Sequence, residues 1–415
     1  MENKEIIAVI DLGTSNLKCA VFSFGIGELP KLIGFSKKKA KGIHNSIIVN
    51  INDAIDSVRS CLIEAEKKSQ ISLNKINVLI DPTEIITTRL TKFKKTSGSK
   101  IEKNDVSFLL KEAKKQVELN DSRLSNIHIF NYKYVVDNKL FKDLPFNIYV
   151  DQFSQENVFL GVPKNILKNI SEVFHSCDIE IGKFISCSYA LGISCFNQDQ
   201  IDYGCGIIDI GYEKTSLALF KDSSLVRVSS FPIGSNHITK DISRGCYLSE
   251  TESELIKKDI SIIDNSDEEL NKNGFLSDKY FSETKFRKIS SKFIRDIILA
   301  RLDEILNKIF KEISYLQFES IKQNLIFVGE GSRLNDLKKI VNVKLQNCTF
   351  DTNLDNFKSF GNIDRKLIAC YGAVKILTEV LPQRQLLYQI KVKRIKVAFL
   401  LEFSIFLVSF FIVFF

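Results

Sequence analysis

Short continuous apolar runs alternate along the chain with longer stretches in which apolar residues recur every three or four positions. That is the pattern of strands buried on both faces interleaved with amphipathic helices. The first run, Ile6 to Ile10, meets Asp11-Leu12-Gly13-Thr14-Ser15 and is followed at once by Cys19 to Phe22, which predicts a hairpin. A Lys- and Gly-rich loop is expected over 36–42, then a helix over 52–68 whose one apolar face carries Ile51, Ile55, Val58, Leu62 and Ala65. A strand over 76–80 closes a βαβ unit, and Pro82 marks a boundary. Between 82 and about 160 the pattern predicts two strands, 85–90 and 127–136, flanking a helix over 104–118. From Gly161 a helix opening at Pro163 runs to Cys177, a strand ends near Ile185, and Cys187 to Gly192 starts the next helix.

A second hairpin is predicted over 204–220, and a helix start lies within Phe231 to Ile242. Residues 261–285, with Asp264, Asp267, Glu268 and Glu269, read as loop or short strands. A long helix is expected over 287–318, with an apolar stripe at Ile289, Phe293, Ile297, Leu302, Ile305, Ile309 and Ile313 and a basic side at Arg287, Lys288, Lys292, Arg295 and Arg301. A strand over 325–328 enters a glycine turn, residues 338–364 are Asn-rich loop and strand, and a last helix over 367–381 ends at Pro382. The fold class is α/β, and 415 residues suffice for two large lobes.

The chemistry gathers at strand ends. Asp11 can hold a divalent cation through water, the backbone of Gly13, Thr14 and Ser15 can face phosphate oxygens, and Lys18 adds a point charge. Alone, this stretch fits an ordinary hairpin equally well. The plan recurs, however, as Cys205 to Ile210 with Asp209 and Gly211, then Tyr212, Glu213 and Lys214, then Thr215 to Phe220. Two such hairpins predict two related half-domains clamping one nucleotide. A third segment, Leu325 to Val328 followed by Gly329, Glu330, Gly331, Ser332 and Arg333, is a turn at which backbone can approach a base or ribose closely. Glu254 and Lys257 share a helix face, which on spacing alone fits a surface ion pair.

Composition narrows the setting. Apolar content of 44% and charge of 26% are globular values. Nine Cys and four His form neither a CxxC nor an HExxH, so zinc is not expected, and Cys177, Cys187, Cys195 and Cys205 read as reduced core thiols. No secretory apolar region is expected at the start of the chain. No interleaving of aromatic and basic residues suggests nucleic acid. Half of the net charge of +8 lies beyond residue 383, where Arg384, Lys391, Lys393, Arg394 and Lys396 face only Glu402. In the apolar stretch that follows, Val397 to Phe415, only Glu402, Ser404 and Ser409 are polar. As a helix it would reach ~28 Å, close to the ~30 Å of a bilayer core. Lys391, Lys393, Arg394 and Lys396, with Phe399, Phe403, Phe406, Phe410 and Phe411, therefore predict a tail anchor on anionic lipid, embedded or spanning.

In order and spacing the three strand-end segments resemble the phosphate-1, phosphate-2 and adenosine motifs of the actin, sugar kinase and Hsp70 ATPase superfamily. Within it the chain is most similar to the FtsA family of bacterial cell division proteins. The resemblance implies an actin-like (ribonuclease H-like) two-lobed fold. Its subdomains would be 1A (1–81, 161–203, 366–385), an insertion 1C (82–160) that helps subunits polymerise, 2A (204–240, 320–365) and 2B (241–319), followed by a basic linker (386–396) and a membrane helix (397–415). It implies ATP and Mg²⁺ as cofactors, with the metal held through water by Asp11 and Asp209 and the nucleotide by the residues of the three motifs with Glu254 and Lys257. It implies the FtsZ C-terminal peptide as a partner, with Arg295 and Arg301 as candidate contacts, alongside self-assembly, anionic lipids and other division proteins at the cytoplasmic face of the inner membrane, at the septum.

Two features depart from the family pattern. The tail is apolar all round where relatives carry an amphipathic helix. Tyr212, Glu213 and Lys214 replace a Gly-Gly-Thr run, so ATP binding is expected with weak or absent hydrolysis, and no catalytic residue is assigned. A scaffold of pilus or shape-determining machinery stays open as an alternative, and a sugar-kinase-like enzyme less so.

Overall fold

The computed structural model describes residues 5–25, 29–141, 143–144, 146–263, 274–315, 321, 324–344, 350–351 and 365–378. The chain opens with a meander, β1 (Glu5–Leu12), β2 (Asn16–Phe24) and β3 (Lys31–Lys39), then a short hairpin, β4 (Ile43–His44) and β5 (Ile47–Ile48), helix α1 (Ile51–Ser69) and strand β6 (Lys75–Ile80). The Asn50 side chain caps α1 by accepting from the amides of Asn52 and Asp53, and Gln70 ends it in the left-handed region. The expected loop over 36–42 is displaced: Ser36 to Lys39 continue β3, because they pair across to Asn16 to Cys19, and a row of lysines does not prevent an edge strand from pairing.

An insertion follows: β7 (Ile86–Lys100), α2 (Lys103–Asn120), β8 (Leu124–Val136), β9 (Lys139–Phe141) and β10 (Tyr149–Pro163), in the order β7-β10-β8-β9. β10 is central in this sheet, yet the apolar pattern did not reveal it. Gln155 and Asn157 are buried in it and bond to each other at 2.8 Å, so polar residues stand where alternation would show apolar ones. β7 likewise runs past Leu90 to Lys100, held by pairing with β10 rather than by apolar residues of its own. The insertion also touches the second half of the chain. Thr87 Oγ donates to the Val228 carbonyl and accepts from the Val228 amide, both at 3.0 Å, and the Tyr132 hydroxyl donates to Asp222 at 3.0 Å.

The chain then completes the first sheet with α3 (Lys164–His175) and β11 (Glu180–Ser186), and leaves it by α4 (Cys187–Cys195) and α5 (Gln198–Tyr203). A second meander, β12 (Cys205–Ile210), β13 (Thr215–Lys221) and β14 (Ser224–Phe231), leads to α6 (Ser235–Cys246), α7 (Glu250–Asp259) and α8 (Ser291–Tyr315). Strand β15 (Leu325–Val328), α9 (Leu337–Lys344), β16 (Phe350–Asp351) and α10 (Ile368–Thr378) finish the described chain. The buried stripe of α8 is Ile294, Ile298, Leu302, Ile305, Leu306, Ile309 and Ile313, while Phe293 is about half exposed. The expected stripe is thus one residue out of phase over the first two turns. The acidic loop residues Asp264, Asp267, Glu268 and Glu269, the helix end near Phe318 and most of 345–364 lie outside the described residues.

The two main sheets share one topology. Their orders are β3-β2-β1-β6-β11 and β14-β13-β12-β15-β16, each an antiparallel meander extended by two parallel strands. Helices α4 and α10 pack on each other, and α4 also touches both sheets. Their crossing is a backbone contact. A Cβ on Gly372 would stand 1.8 Å from the Ala190 carbonyl oxygen, and Ser194 Oγ donates to the Ile368 carbonyl at 2.9 Å. One apolar core runs through both lobes, and two small separate clusters lie under α2. Among the described residues no helix is long and apolar enough to cross a membrane. The anchor expected from Lys391, Lys393, Arg394, Lys396, Phe399, Phe403, Phe406, Phe410 and Phe411 lies outside the described residues.

Candidate functional site

The parallel strands β1, β6 and β11 end on the same side, where an open α/β sheet presents its ligand-facing groups. Asp11 stands at the end of β1 and is the register partner of Lys18 on β2, with Nζ 3.2 Å from Oδ2. Burial works against the Lys18 charge, but Asp11 outweighs it and raises the ammonium above its ordinary range. Between them the turn is tight: a Cβ on Gly13 would lie 2.6 Å from the Asn16 carbonyl oxygen, and Ser15 Oγ accepts from the Asn16 side-chain amide at 2.9 Å.

Asp209 occupies the same place in the second sheet. Burial pushes its carboxyl up to about 6, Asp11 and Asp81 add to the rise, and Lys18 and Lys214 oppose it. These carboxylates and ammoniums, from both lobes, therefore lie close to one another. Asp81, one residue beyond β6, is fully buried and accepts from Ser186 Oγ at 2.7 Å, the Ser188 amide at 2.6 Å and Ser188 Oγ at 2.5 Å. Burial raises its carboxyl, with Lys214 and the two serines opposing. Sequence reading passed over Asp81. Its signal was an Asp-Pro pair closing an apolar run beside the strand that carries Asp11.

The second turn is built differently from the first. The carbonyls of Gly211 and Tyr212 accept from the Ser235 and Asn236 amides at 2.9 and 2.7 Å, so two first-turn donors of α6 are committed to the protein itself. Glu213 lies 2.5 Å from His44 Nδ1. Lys214 donates to Ser46 Oγ at 2.8 Å and to the Asp81 carbonyl.

The third segment closes against this turn. Gly329, at φ 89°, leaves no room for a side chain, because a Cβ there would stand 2.3 Å from Asp209 Oδ1. Glu330 lies 3.7 Å from Lys37 of β3, Ser332 Oγ donates to the Gly329 carbonyl at 2.8 Å, and Arg333 is exposed.

Glu254 and Lys257 lie on α7 as expected, but they engage each other at 2.5 Å. Lys257 also donates to Thr239 Oγ at 2.9 Å and to the Ser235 carbonyl at 3.3 Å. Partial burial, with the charges of Glu250 and Glu254 on α7, raises the Tyr212 hydroxyl above its ordinary range. The expected basic face of α8 is not free. Arg295 is buried and donates to the Ser261 carbonyl at 2.9 Å, and Arg301 forks onto both oxygens of Asp241 at 2.6 and 3.0 Å and reaches Glu304. Partners that a helix wheel does not show have taken up both cations. Among the described residues no three His, Cys, Asp or Glu side chains converge as a metal site.

Residues 206–358 match the family described as "Cell division protein FtsA". Over 356 residues the chain is 24% identical to the cell division protein FtsA of Bacillus subtilis (strain 168), covering 84% of this chain and 78% of that protein. The chain is thus similar to the FtsA proteins over most of its length. FtsA of Streptococcus pneumoniae is also 24% identical, over 328 residues, 78% of this chain and 70% of the relative. Among solved structures, the "PilM-PilN type IV pilus biogenesis complex" superposes with a TM-score of 0.60 at 12% identity, over 89% of this chain and 98% of the other. MreB5 of Spiroplasma citri bound to AMPPNP superposes with a TM-score of 0.52 at 14% identity, over 91% and 97%. These likenesses establish the actin-like fold of this chain.

Proposed function

We propose that this chain is an actin-like, nucleotide-binding cell division protein that tethers the FtsZ ring to the cytoplasmic membrane, self-assembles and helps recruit further division proteins. The observation that carries the reading is the convergence of Asp11 and Asp209, from two halves of identical strand order, on one cleft. The shared name of the relatives, cell division protein FtsA, supplies the biological setting.

In this reading the cleft takes ATP. Lys18 and the Gly13-Thr14-Ser15 turn hold phosphate oxygens, and Asp11 and Asp209 orient the waters of Mg²⁺. The α7 face with Glu254 and Lys257, and the Gly329 to Arg333 turn, border the adenosine end. That neighbours of the same fold are described as bound to AMPPNP and to ADP supports the ligand class. The Glu213 carboxylate lies 2.5 Å from His44 Nδ1, and a protonated imidazole there would lessen its repulsion of a phosphate. Nucleotide acts by its different affinity for two states of the protein, so the role does not depend on hydrolysis.

Flotation on anionic vesicles tests the tether. The full chain, with and without an FtsZ C-terminal peptide, is compared with a chain ending at Leu387. The full chain should float and carry the peptide with it, and the shortened chain should stay at the bottom. Equal flotation of both would remove the tail from the role, and a floating chain that leaves the peptide behind would remove FtsZ.

A further inference from the structure

The turn that departs from the family pattern crosses from one lobe to the other, and both of its charged side chains land on the same small hairpin. That hairpin, β4 and β5 of the first lobe, is two pairs long, Ile43 with Ile48 and His44 with Ile47. Its tip residues Asn45 and Ser46 both lie at positive φ, 49° and 61°, the backbone of a tight primed turn. Glu213 reaches His44 on one side of the tip at 2.5 Å. Lys214 reaches Ser46 on the other side at 2.8 Å and continues to the Asp81 carbonyl. Ser46 is 2% exposed, and its hydroxyl donates onward to the Leu12 carbonyl at 3.3 Å, at the end of β1.

Both ends of the clasp are rigidly mounted. On the second lobe the carbonyls of Gly211 and Tyr212 are pinned to the first turn of α6, which fixes the backbone that carries the two side chains. On the first lobe the Asp81 side chain is tied to Ser186 and Ser188, at the junction of β11 and α4. A glycine run in the same place would offer backbone to a phosphate but no side chain to the opposite lobe.

We infer that Glu213 and Lys214 form a latch that holds the two lobes closed around the cleft in the absence of nucleotide, so that closure in this chain is built in rather than induced. The consequence goes beyond the proposed function and stands without it: a ligand entering the cleft meets lobes already in the closed arrangement and gains little further closure. Lobe closure then ceases to be the step that nucleotide controls.

Hydrogen exchange of the full chain in detergent tests the latch, with the amides of 43–48 as reporters and those of β1 and β6 as the control for an intact fold. The wild-type reporters should be protected equally with and without excess MgATP. Lys214→Ala should speed their exchange about ten-fold without nucleotide while β1 and β6 stay protected. Glu213→Gln, a milder change, should give a smaller effect of the same sign and keeps the test open if Lys214→Ala does not fold. Wild-type reporters that exchange freely until MgATP is added would overturn the inference, as would variants that leave them unchanged. Calorimetric titration of MgATP into the wild type separates the two readings: absence of binding defeats the nucleotide proposal and leaves the exchange result to decide the latch.

Discussion

Asp209 is partly buried beside Asp11 and Asp81, with Lys18 and Lys214 as partial compensation, and its value of about 6 lies above that of an exposed aspartate. For a carboxyl raised in the folded state, the folded chain binds more protons than the unfolded chain between about pH 4 and pH 6, so stability falls as pH rises through that window. A fold gains nothing from such a group, and its presence is the mark of a site. Asp209→Asn should therefore be more stable than the wild type at pH 7, by about 1–3 kcal/mol, with the difference vanishing below pH 4, while its affinity for MgATP collapses. Urea titrations at pH 4 and pH 7 beside calorimetry check this. A variant that loses stability at pH 7 would mean that the ammonium groups outweigh burial at this position.

At the scale of elements, what sequence revealed divides by how each element is stabilised. Hairpins β1–β2 and β12–β13 announced themselves because both strands are buried on both faces and end at Asp-x-Gly. β10 and the outer half of β7 stayed hidden because hydrogen-bonded neighbours hold them and apolar alternation does not, with Gln155 and Asn157 breaking the pattern from within. The clasp on β4–β5 was equally hidden. Lys214 was legible as a cation near phosphate, but the residues it meets, Ser46 and Asp81, lie on loops whose approach only the folded chain defines. Helices α4 and α10 were legible as elements, and their crossing shows why each carries small residues. Gly372 lies against the Ala190 carbonyl, so even one methyl group forces the helices apart. Because the obstacle is backbone, no change of rotamer can make room for that methyl. Gly372→Ala should destabilise the chain by about 1–3 kcal/mol, read as a lower urea midpoint. An unchanged midpoint would show that the two helices can slide without loss.

Across the whole molecule, the shared strand order of the two halves and the core that runs through both lobes make the two halves one folding unit. The outer part of the insertion is different. Ile101, Val106, Leu109, Tyr134, Val136, Leu144, Val150 and Phe153 form one small cluster, Leu110, Ala113, Val117, Ile129 and Phe159 another, and neither joins the main core. The base of the same sheet does join it, through Phe130, Tyr132, Val158 and Leu160. Opening of α2 thus exposes little of the main core, and cooperative units of this kind open below the global free energy. Native-state hydrogen exchange should show the amides of α2 opening together at a free energy several kcal/mol below those of β1 and β12, with β8 and β10 divided, their outer ends following α2 and their inner ends following the lobes. If α2 instead exchanged only with β1 and β12, the contacts of the insertion with Val228 and Asp222 would have to couple it to the whole fold, and any force applied to the insertion by a neighbouring subunit would reach the cleft directly.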